Sequence, residues 1–402
     1  MRQDTTRQCI IPPHVLERLL ESDDAAIRSA AMTTLLTTAR LRGEREVRAS
    51  LVRLAATGQG RRTVFDCRKS TSLPMCSLAR SEDGPPSADL SVNQAFDGLG
   101  STRQFYQDVL ERNSIDDRGM RLDGYVHRGV KYNNAFWNGQ VMVFGDGDGI
   151  IFTDFTASLD VIAHELTHGV TEHTAGLDYH NQSGALNESM SDVMGVLVKQ
   201  WSLQQTADQA DWLIGADIFT PGIGADALRS LKAPGQAYDN KLLGKDPQPA
   251  HMRDYVQLPD TDDGDNGGVH INSGIPSKAF YLTAVEIGGY AWEAAGRIWY
   301  ESLRASTATT EFQAFADTTF SKAGELYGID SAEQQAVQAG WDGVGITVTA
   351  EPTTMRGSAA PTGTDSVGDV LRHLAEMSAS IDALRRDLQG QAVGGGRPAP
   401  PA

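Results

Sequence analysis

Cysteine is scarce in this chain, since only Cys9, Cys67 and Cys76 occur among 402 residues. At most one intramolecular pair can form, so the sequence excludes a disulfide-dense scaffold. Cys67 and Cys76 are close enough in sequence to pair. One pair in a chain of this length is not a framework, however, and we expect thiols at all three positions.

Long apolar runs and excess basic charge are also missing. No stretch of about 18 consecutive apolar residues occurs, which predicts that the chain has no membrane span. The 35 basic residues are outnumbered by 52 acidic ones, for a net charge of −17, which argues against binding to nucleic acids or anionic membranes.

Residues 1–9 are polar and lack the apolar core of a Sec signal peptide. We therefore expect a cytoplasmic precursor, or export by a route other than Sec.

The chemically most informative segment is residues 164–168, with the sequence HELTH. His164 and His168 are four residues apart, so on a helix they lie on the same face, one turn apart. Both imidazoles can then reach one metal ion at the usual zinc–nitrogen distance of about 2.0–2.1 Å. Glu165 points about 100° round the helix from His164, where a general base for a zinc-bound water is needed.

A second segment supplies the expected third ligand. Glu188 and Asp192 are four residues apart in a helix-like run that begins at Asn187, so they share a face. Glu188 would complete a set of two histidines and one glutamate, which leaves a fourth position for water and indicates a catalytic site. Asp192 would accept the ring N–H of a zinc histidine and fix its tautomer.

Other interpretations of the HELTH segment are weaker. An amphipathic helix with two hydrogen-bonded histidines is possible for the motif alone, but the carboxylates of the second segment argue against it. The metzincin pattern needs a glycine and a third histidine further along, where this chain has Thr171 and Thr174. A cysteine-based structural zinc site is excluded, since no cysteine lies nearby.

Four separate motifs together resemble the thermolysin family of neutral metallopeptidases. They are residues 133–137 (NNAFW), the HELTH segment, Glu188 with Asp192, and residues 267–274 (GGVHINSG). The resemblance spans residues 132–350, and the short N-terminal segment is similar to that of the protealysin-like branch. It implies an α+β fold with a β-rich N-terminal lobe, a mainly helical C-terminal lobe and the zinc helix between them.

The resemblance divides the chain into four parts. Residues 1–55 would form a helical propeptide that covers the cleft and is removed by the protein's own activity, the alternative being a permanent helical accessory domain. Residues 56–180 and 181–349 would form the two catalytic lobes. Residues 350–402 contain a linker, apolar residues at heptad spacing between 367 and 388, and a Gly- and Pro-rich end. The heptads indicate a helix that docks or self-associates, with a partly disordered tail as the alternative.

The resemblance also implies a role for each residue of the site. The zinc ligands would be His164, His168 and Glu188. The catalytic groups would be the general base Glu165, the oxyanion stabilisers His270 and Tyr179, and Asp265, which orients His270. The partners that orient the ligands would be Asp192 and Asn187. The residues that hold the substrate backbone would be Asn134, Ala135 and Arg229. Taken alone, Tyr179 could be a packing residue and His270 a turn residue, but the zinc motif favours the catalytic assignments.

A specificity pocket is implied in the same way. Six apolar residues fall where the family lines the pocket for the residue after the scissile bond: Phe152, Phe155, Val161, Ile214, Ile218 and Leu228. An apolar pocket accepts a large aliphatic or aromatic side chain and discriminates by about 1–3 kcal/mol per methylene. We expect cleavage before Leu, Phe, Ile or Val. The alternative is that these are ordinary core residues.

One departure from the family concerns calcium. Asp160 and Asp211 are retained where secreted members bind a pair of calcium ions, but Lys199, Leu213 and Ala216 stand at other positions of that site. A lysine ammonium is incompatible with a two-ion site, so we expect the double calcium site to be absent and leave a single calcium ion open. Residues 146–149 (DGDG) begin like an EF-hand loop but lack the later ligands, which indicates a turn.

The sequence thus predicts a zinc-dependent endopeptidase made as a latent precursor, whose partners are peptide and protein substrates and its own propeptide. One alternative is a binding scaffold that keeps the fold without catalysis, although every expected catalytic residue is present. Another is a zinc aminopeptidase, against which the resemblance across the substrate-binding segments argues. Cys9 adds a further option, because a thiolate could bind the zinc ion in the latent form.

Overall fold

The computed structural model describes the backbone of residues 9–49 and 61–350, and the side chains of residues 9–38 and 61–350. The predicted heptad helix at residues 367–388 and nearly all of the linker before it lie outside these ranges. The predicted propeptide boundary at residue 55 lies outside them as well. These predictions therefore stay predictions.

Two helices form the N-terminal part, α1 (Pro13–Leu20) and α2 (Ala25–Ala49). Pro13 lies in the first turn of α1, where its missing N–H costs no hydrogen bond. The apolar stripe of α1 is buried, with exposures of at most 3 % for Val15, Leu16 and Leu19. Each such side chain contributes about 1.5–3 kcal/mol when it leaves water, so α1 is held firmly against the apolar core of the chain.

A five-stranded mixed sheet follows, with the strand order β2-β1-β3-β5-β4. The strands are β1 (Arg62–Asp66), β2 (Ser77–Ser81), β3 (Leu122–Val126), β4 (Ala135–Trp137) and β5 (Met142–Phe144). The three central strands run parallel, and β2 and β4 pair antiparallel at the two edges. Because β4 lies at an edge, one side of its backbone remains available to a peptide.

A long helix, α3 (Leu90–Leu110), packs on this sheet. Its first residue follows Asp89, whose side chain accepts hydrogen bonds from the N–H groups of Ser91 and Val92. This is a standard helix cap, and it sets the start of the helix.

Two buried helices, α4 (Leu159–Glu172) and α5 (Asn181–Leu203), pack side by side. They approach closely at Gly195, where an added Cβ would lie 2.8 Å from the carbonyl oxygen of Asp160. α4 carries the HELTH segment and α5 carries Glu188. α5 begins six residues before the predicted start at Asn187, so Glu188 lies well inside a regular helix.

The rest of the described chain is mainly helical. It contains α6 (Asp265–Asn272), α7 (Gly274–Ile287), α8 (Ala294–Ala305), α9 (Phe312–Tyr327) and α10 (Ala332–Gly343). The long loops between α5 and α6 carry two short strand pairs, β6 (Leu213–Ile214) with β7 (Arg229–Ser230) and β8 (Asp239–Asn240) with β9 (Gly244–Lys245). The predicted α+β arrangement of a β-rich lobe and a helical lobe is confirmed. Among the described residues, no helix has both the length and the apolar character needed to span a bilayer.

The prediction of thiols at Cys67 and Cys76 was wrong, because these two residues form a disulfide bond. A turn that contains the short 3-10 helix Leu73–Met75 reverses the chain between them. Their Cα atoms come within 4.1 Å of each other, which the nine-residue sequence separation alone did not establish.

Candidate active site

Two histidines of α4 point their Nε2 atoms towards each other. Nδ1 of His164 lies 2.8 Å from Oδ1 of Asp192, and Nδ1 of His168 lies 2.8 Å from Oδ1 of Asn187. Because both partners are acceptors, each ring carries its proton on Nδ1 and directs the lone pair of Nε2 inward. The two Nε2 atoms are 3.1 Å apart, an arrangement of lone pairs that a shared cation would stabilise.

Glu188 joins these histidines from α5. Its carboxylate oxygens lie 3.6 Å from Nε2 of His164 and 3.4 Å from Nε2 of His168. The ligand atoms of the three buried residues all lie within 4.8 Å of one another. Oε2 of Glu188 has no hydrogen-bond partner among the described residues. Two imidazole lone pairs and a buried carboxylate oxygen directed at one point fit a zinc ion.

The protonation states also suit a metal ion. Burial lowers the pKa of His168 to about 3, although Glu188 opposes this change. Burial acts against ionisation of Glu188, but His270, His168 and His164 outweigh it and hold the pKa of Glu188 below its usual value. At neutral pH the site thus offers neutral imidazole and ionised carboxylate, the forms that bind zinc.

Glu165 lies beside the three ligands and is fully buried. Its Oε2 accepts a hydrogen bond from the backbone N–H of Trp137 at 2.9 Å, which fixes the position of the carboxylate. Burial raises the pKa of Glu165 well above its usual value, and the Trp137 N–H acts in the opposite direction. The contact of Trp137 with Glu165 was not predicted from the sequence, because a backbone donor leaves no signal in the side-chain pattern.

His270 and Tyr179 approach the ligands from another direction. Nδ1 of His270 lies 2.6 Å from Oδ1 of Asp265, and Nε2 lies 3.2 Å from the Tyr179 hydroxyl. That hydroxyl also donates a hydrogen bond to Oε1 of Glu188. Burial opposes protonation of His270, but Asp265 and Glu188 raise its pKa to about 9. Two hydrogen-bond donors therefore converge beside the metal ligands.

The backbone before His270 forms a left-handed turn. Asp265, Asn266, Gly267 and Gly268 all have φ values between 51° and 84°. Such values favour glycine, since a Cβ is strained there. The turn brings Oδ2 of Asp265 within 2.9 Å of the backbone nitrogen of His270, so one carboxylate holds both the ring and the backbone of this histidine.

Arg229 links the metal ligands to the cleft. Its Nε and Nη2 each donate to the Asp192 carboxylate at 2.8 Å, and Asp192 in turn orients His164. Burial opposes ionisation of Asp192, but Arg229 and His164 hold the pKa of its carboxyl well below the usual range. The third nitrogen, Nη1, donates to the carbonyl oxygen of Ile10 at 3.2 Å.

Residues 9–11 of the N-terminal part run through the cleft. The N–H of Ile10 donates to the carbonyl oxygen of Ala135, and the N–H of Ile11 donates to Oδ1 of Asn134, each at 3.2 Å. The N-terminal segment therefore occupies the groups that were predicted to hold a substrate backbone. The Cys9 side chain packs in an apolar cluster with Tyr132 and Phe136, and the group of three metal-ligating residues does not include it.

The six residues predicted to line the specificity pocket are all buried. They belong to the same contiguous apolar core as Ile10, and their exposures do not exceed 3 % for Phe152, Phe155, Val161, Ile214, Ile218 and Leu228. Leu228 directly precedes Arg229, which binds the Ile10 carbonyl. This placement puts apolar surface next to the backbone-binding groups of the cleft.

Two further contacts were not predicted. The Ser191 hydroxyl lies 3.1 Å from Nδ1 of His168, and its spacing of four residues from Asn187 was a signal that could have indicated it. Nε2 of His14 lies 3.0 Å from the Tyr238 hydroxyl. This second contact joins residues that are 224 apart in the chain, and no local pattern could have indicated it.

Known proteins share this arrangement. The profile of the thermolysin metallopeptidase catalytic domain matches residues 82–172, and that of the alpha-helical domain matches residues 175–346. The chain is 47 % identical over 344 residues to the extracellular metalloprotease of Pectobacterium carotovorum subsp. carotovorum, covering 85 % of this chain and 97 % of that one. It is 43 % identical over 356 residues to protease PrtS of Photorhabdus sp. (strain Az29), covering 87 % and 95 % of the two chains.

A solved structure is similar as well. It is the precursor of protealysin, a metalloproteinase from Serratia proteamaculans, with a TM-score of 0.76 and 48 % sequence identity over 85 % of this chain and 100 % of that one. The three residues of the metal-ligand group lie within the regions that the two profiles match. The chain therefore belongs to the thermolysin family of zinc-dependent metalloendopeptidases, in its protealysin-like branch.

Proposed function

We propose that Glu165 is the general base and acid of this zinc endopeptidase, and that His270 and Tyr179 stabilise the oxyanion. The observation that carries the proposal is the convergence of these groups on one set of ligand atoms, those of His164, His168 and Glu188, which lie within 4.8 Å of one another. A scaffold without catalysis would not need Glu165, His270 and Tyr179 to be buried and hydrogen-bonded around such a group.

Each residue then has a defined task in peptide hydrolysis. Bound zinc supplies a Lewis acid and makes a water molecule acidic near neutral pH. Glu165 accepts a proton from the attacking water and passes it to the leaving nitrogen. His270 and Tyr179 donate hydrogen bonds to the carbonyl oxygen as its negative charge develops, which lowers the barrier by several kcal/mol. Asn134, Ala135 and Arg229 hold the substrate backbone extended.

The test compares the natural chain with Glu165→Gln, both after removal of the N-terminal helices by limited trypsin digestion, in the hydrolysis of casein and of a blocked peptide, with and without a zinc chelator. We expect Glu165→Gln to lose roughly 100- to 10,000-fold in rate, the usual range for removal of a general base, while its zinc content stays stoichiometric. Glu172→Gln changes an exposed carboxylate of the same helix and is the matched control. Full activity of Glu165→Gln would refute the assignment.

The six buried apolar residues, one of which (Leu228) directly precedes Arg229, support a preference for large aliphatic or aromatic residues after the scissile bond. Two blocked peptides that differ only in Leu or Asp at this position would separate the possibilities. We expect the Leu peptide to be cleaved faster, because burial of a carboxylate among apolar side chains is unfavourable. Faster cleavage of the Asp peptide would contradict the proposed pocket. Release of single N-terminal residues from unblocked peptides would favour an aminopeptidase instead.

Occupation of the cleft by residues 9–11 supports a latent precursor, with residues 1–55 as its propeptide. The segment takes the hydrogen bonds of Asn134, Ala135 and Arg229, and so competes directly with substrate. We expect no hydrolysis of an added peptide until the N-terminal helices are removed by limited digestion with trypsin. Equal activity before and after digestion would indicate a permanent accessory domain.

The contacts of Lys199 support the proposal that the double calcium site is absent. Nζ of Lys199 lies 3.1 Å from Oδ2 of Asp160 and 3.0 Å from Oδ2 of Asp211, so an ammonium group already neutralises these carboxylates. Leu213 and Ala216 add no oxygen from their side chains. We expect added calcium to leave the thermal midpoint of the zinc-loaded protein unchanged, whereas a calcium-dependent rise would show that an ion binds.

The disulfide between Cys67 and Cys76 and the names of the relatives both indicate where the protein acts. Disulfides form and persist in oxidising compartments, and the relative from Pectobacterium carries the name extracellular metalloprotease. We propose that the chain is exported after synthesis. Fractionation of producing cells would test this, with the natural chain expected in the medium and its disulfide formed. Protein confined to the cytoplasm with reduced cysteines would contradict it.

Self-association through residues 367–388 remains a proposal based on their heptad spacing alone. Mass in solution, measured for the natural chain and for a chain ending at residue 350, would decide it. Loss of an oligomer on truncation is the expected result, and equal monomeric masses would exclude the proposal.

A further inference from the structure

The segment that fills the cleft is aligned with a definite polarity. Arg229 donates to the carbonyl oxygen of Ile10, while the N–H groups of Ile10 and Ile11 donate to Ala135 and Asn134. These contacts hold three successive backbone groups at the bend formed by residues 10 and 11. The register of residues 9–11 relative to the site is therefore fixed by several hydrogen bonds.

That register places the peptide bond between Cys9 and Ile10 at the catalytic groups. The carbonyl oxygen of Cys9 accepts a hydrogen bond from Nε2 of His270 at 3.2 Å. On the other side of the same bond, the N–H of Ile10 donates to the carbonyl oxygen of Ala135 at 3.2 Å, and it lies near enough to Glu165 to lower the pKa of that carboxyl. The carbonyl thus lies at a proposed oxyanion donor, and the nitrogen lies at the group proposed to protonate a leaving amine. This is the orientation of a substrate.

The side chain after this bond also matches a substrate. Ile10 is 0 % exposed and belongs to the apolar core that contains the six pocket residues. A branched aliphatic residue at this place is the kind that an apolar pocket accepts.

We propose that the precursor hydrolyses its own Cys9–Ile10 peptide bond, an inference that rests on the proposed roles of Glu165 and His270. One water molecule is consumed and the C–N bond is broken. Cys9 gains a terminal carboxylate and Ile10 gains a terminal ammonium, with Glu165 carrying the proton from the water to the nitrogen. No oxidant, reductant or second substrate is needed.

This cut does not release the inhibitory helices. Val15, Leu16 and Leu19 of α1 stay buried, and the backbone N–H of Asn133 still donates to the Thr34 hydroxyl at 2.9 Å. The fragment that begins at Ile10 remains in the cleft as a bound product. Trimming at Cys9 is therefore a step separate from activation, which needs a later cut beyond α2.

The experiment follows the full-length, zinc-loaded chain by intact mass and N-terminal sequencing. We expect a form that begins at Ile10 to accumulate while hydrolysis of an added peptide stays low. Glu165→Gln should keep residues 1–9, and Ile10→Asp should slow the cut at least tenfold, whereas Ile10→Leu should preserve it. Leu36→Asp, at a site of the same N-terminal part that is 64 % exposed, is the control and should be cut normally.

A second measurement does not depend on catalysis. In the metal-free protein, the amides of Ile10 and Ile11 should exchange slowly with deuterium, because both donate hydrogen bonds inside the cleft. Ile10→Asp should lose this protection. If both amides exchange at the rate of an unstructured peptide, residues 9–11 are not held in the proposed position relative to the catalytic groups.

Limited trypsin digestion of the same preparation distinguishes failure of the self-trimming proposal from failure of the proposed catalytic roles of Glu165 and His270. If the digested sample hydrolyses a reporter peptide but the intact chain keeps its Cys9–Ile10 bond, self-trimming is overturned and the proposed catalytic roles stand. If the digested sample is inactive although it holds zinc, the proposed roles fail and self-trimming fails with them. A cut at Cys9–Ile10 that persists in Glu165→Gln would show that another protease makes it.

Discussion

The two ends of the α4–α5 pair neutralise buried carboxylates in different ways. At one end, His164 and His168 of α4 face Glu188 of α5 and present lone pairs to a cation that must come from solution. At the other end, Asp160 of α4 faces Lys199 of α5, and the cation is part of the chain. The same two helices thus build one centre that depends on metal and one that does not.

The difference follows from what each cation can do. An ammonium group neutralises a carboxylate and donates hydrogen bonds, but it cannot take a further ligand. A zinc ion held by three protein ligands keeps a position open for chemistry. Stability at the lysine end therefore needs no metal supply, whereas activity at the histidine end does. The following changes test this comparison, from the largest expected effect to the smallest.

Removal of a metal ligand should have the largest effect. His168→Ala eliminates one imidazole, and we expect zinc content to fall well below stoichiometry and activity after trypsin activation to fall at least roughly 1,000-fold, about 4 kcal/mol of transition-state stabilisation. Metal analysis and peptide hydrolysis measure the two quantities. Natural protein that has been stripped with a chelator and reloaded with zinc should recover full activity. Retention of both zinc and activity in His168→Ala would contradict the ligand assignment.

Lys199→Met should reduce stability without affecting zinc. It leaves Asp160, which is 0 % exposed, without its cation. Loss of one partner of a buried ion pair costs about 3–5 kcal/mol, and we expect the lower end because Oδ1 of Asp160 still accepts hydrogen bonds from Ser158 and Gly215.

Urea denaturation of Lys199→Met gives the change in the free energy of unfolding. The matched control is Lys241→Met, which breaks a surface pair with Asp23 whose lysine side chain is 89 % exposed, and which should change stability by less than about 1 kcal/mol. A loss of zinc in Lys199→Met would show that the two ends are not independent.

Asn187→Ala should weaken zinc binding moderately. Its Oδ1 accepts the N–H of His168, and removal of such a partner usually lowers metal affinity 10- to 100-fold. Competition with a coloured chelator measures the affinity. Asn187→Asp keeps an acceptor at the same place and should restore most of it. If both variants bind zinc like the natural chain, Asn187 does not orient the ring.

The smallest effect concerns His127, a cation whose charge depends on pH. Its ring lies 2.8 Å from Asp146 and 3.0 Å from Asp89. The hydrogen bond to Asp146, opposed by burial and assisted by Asp89, raises the pKa of His127 to about 9. The raised pKa stabilises the folded state fully below about pH 6.5, and this contribution disappears as the pH rises through about 9.

His127→Gln tests this dependence. The difference in the free energy of unfolding between the natural chain and the variant should be largest below about pH 6.5 and should shrink towards pH 9. Denaturation curves at several pH values measure it. A difference that grows with pH would contradict the proposed charge on His127.

The sequence allowed much of this site to be predicted because its key residues lie on helices. The spacing of His164 and His168 defines one face of α4, and the spacing of Glu188 and Asp192 defines one face of α5. The roles of His270, Tyr179 and Arg229 could be assigned only through the resemblance to a family, since these residues are far apart in sequence and no periodicity connects them.

Other features were outside the reach of sequence patterns. The hydrogen bond from Trp137 to Glu165 comes from a backbone group, and the disulfide between Cys67 and Cys76 depends on how the chain turns between them. The alignment of Cys9 and Ile10 with the catalytic groups depends on contacts with three distant segments. Each of these features depends on tertiary contacts, which a sequence pattern does not show.

The left-handed turn at residues 265–268 limits which sequences can support catalysis. A Cβ at Gly267 would lie 2.2 Å from Oδ1 of Asn181, and a Cβ at Gly268 would lie 2.9 Å from Nδ2 of Asn272. Replacement of either glycine therefore adds a collision to the conformational cost of about 1–2 kcal/mol. Mutational tolerance should consequently be low at two positions that take no part in the reaction, because the turn that brings Asp265 to His270 depends on two residues that have no side chain.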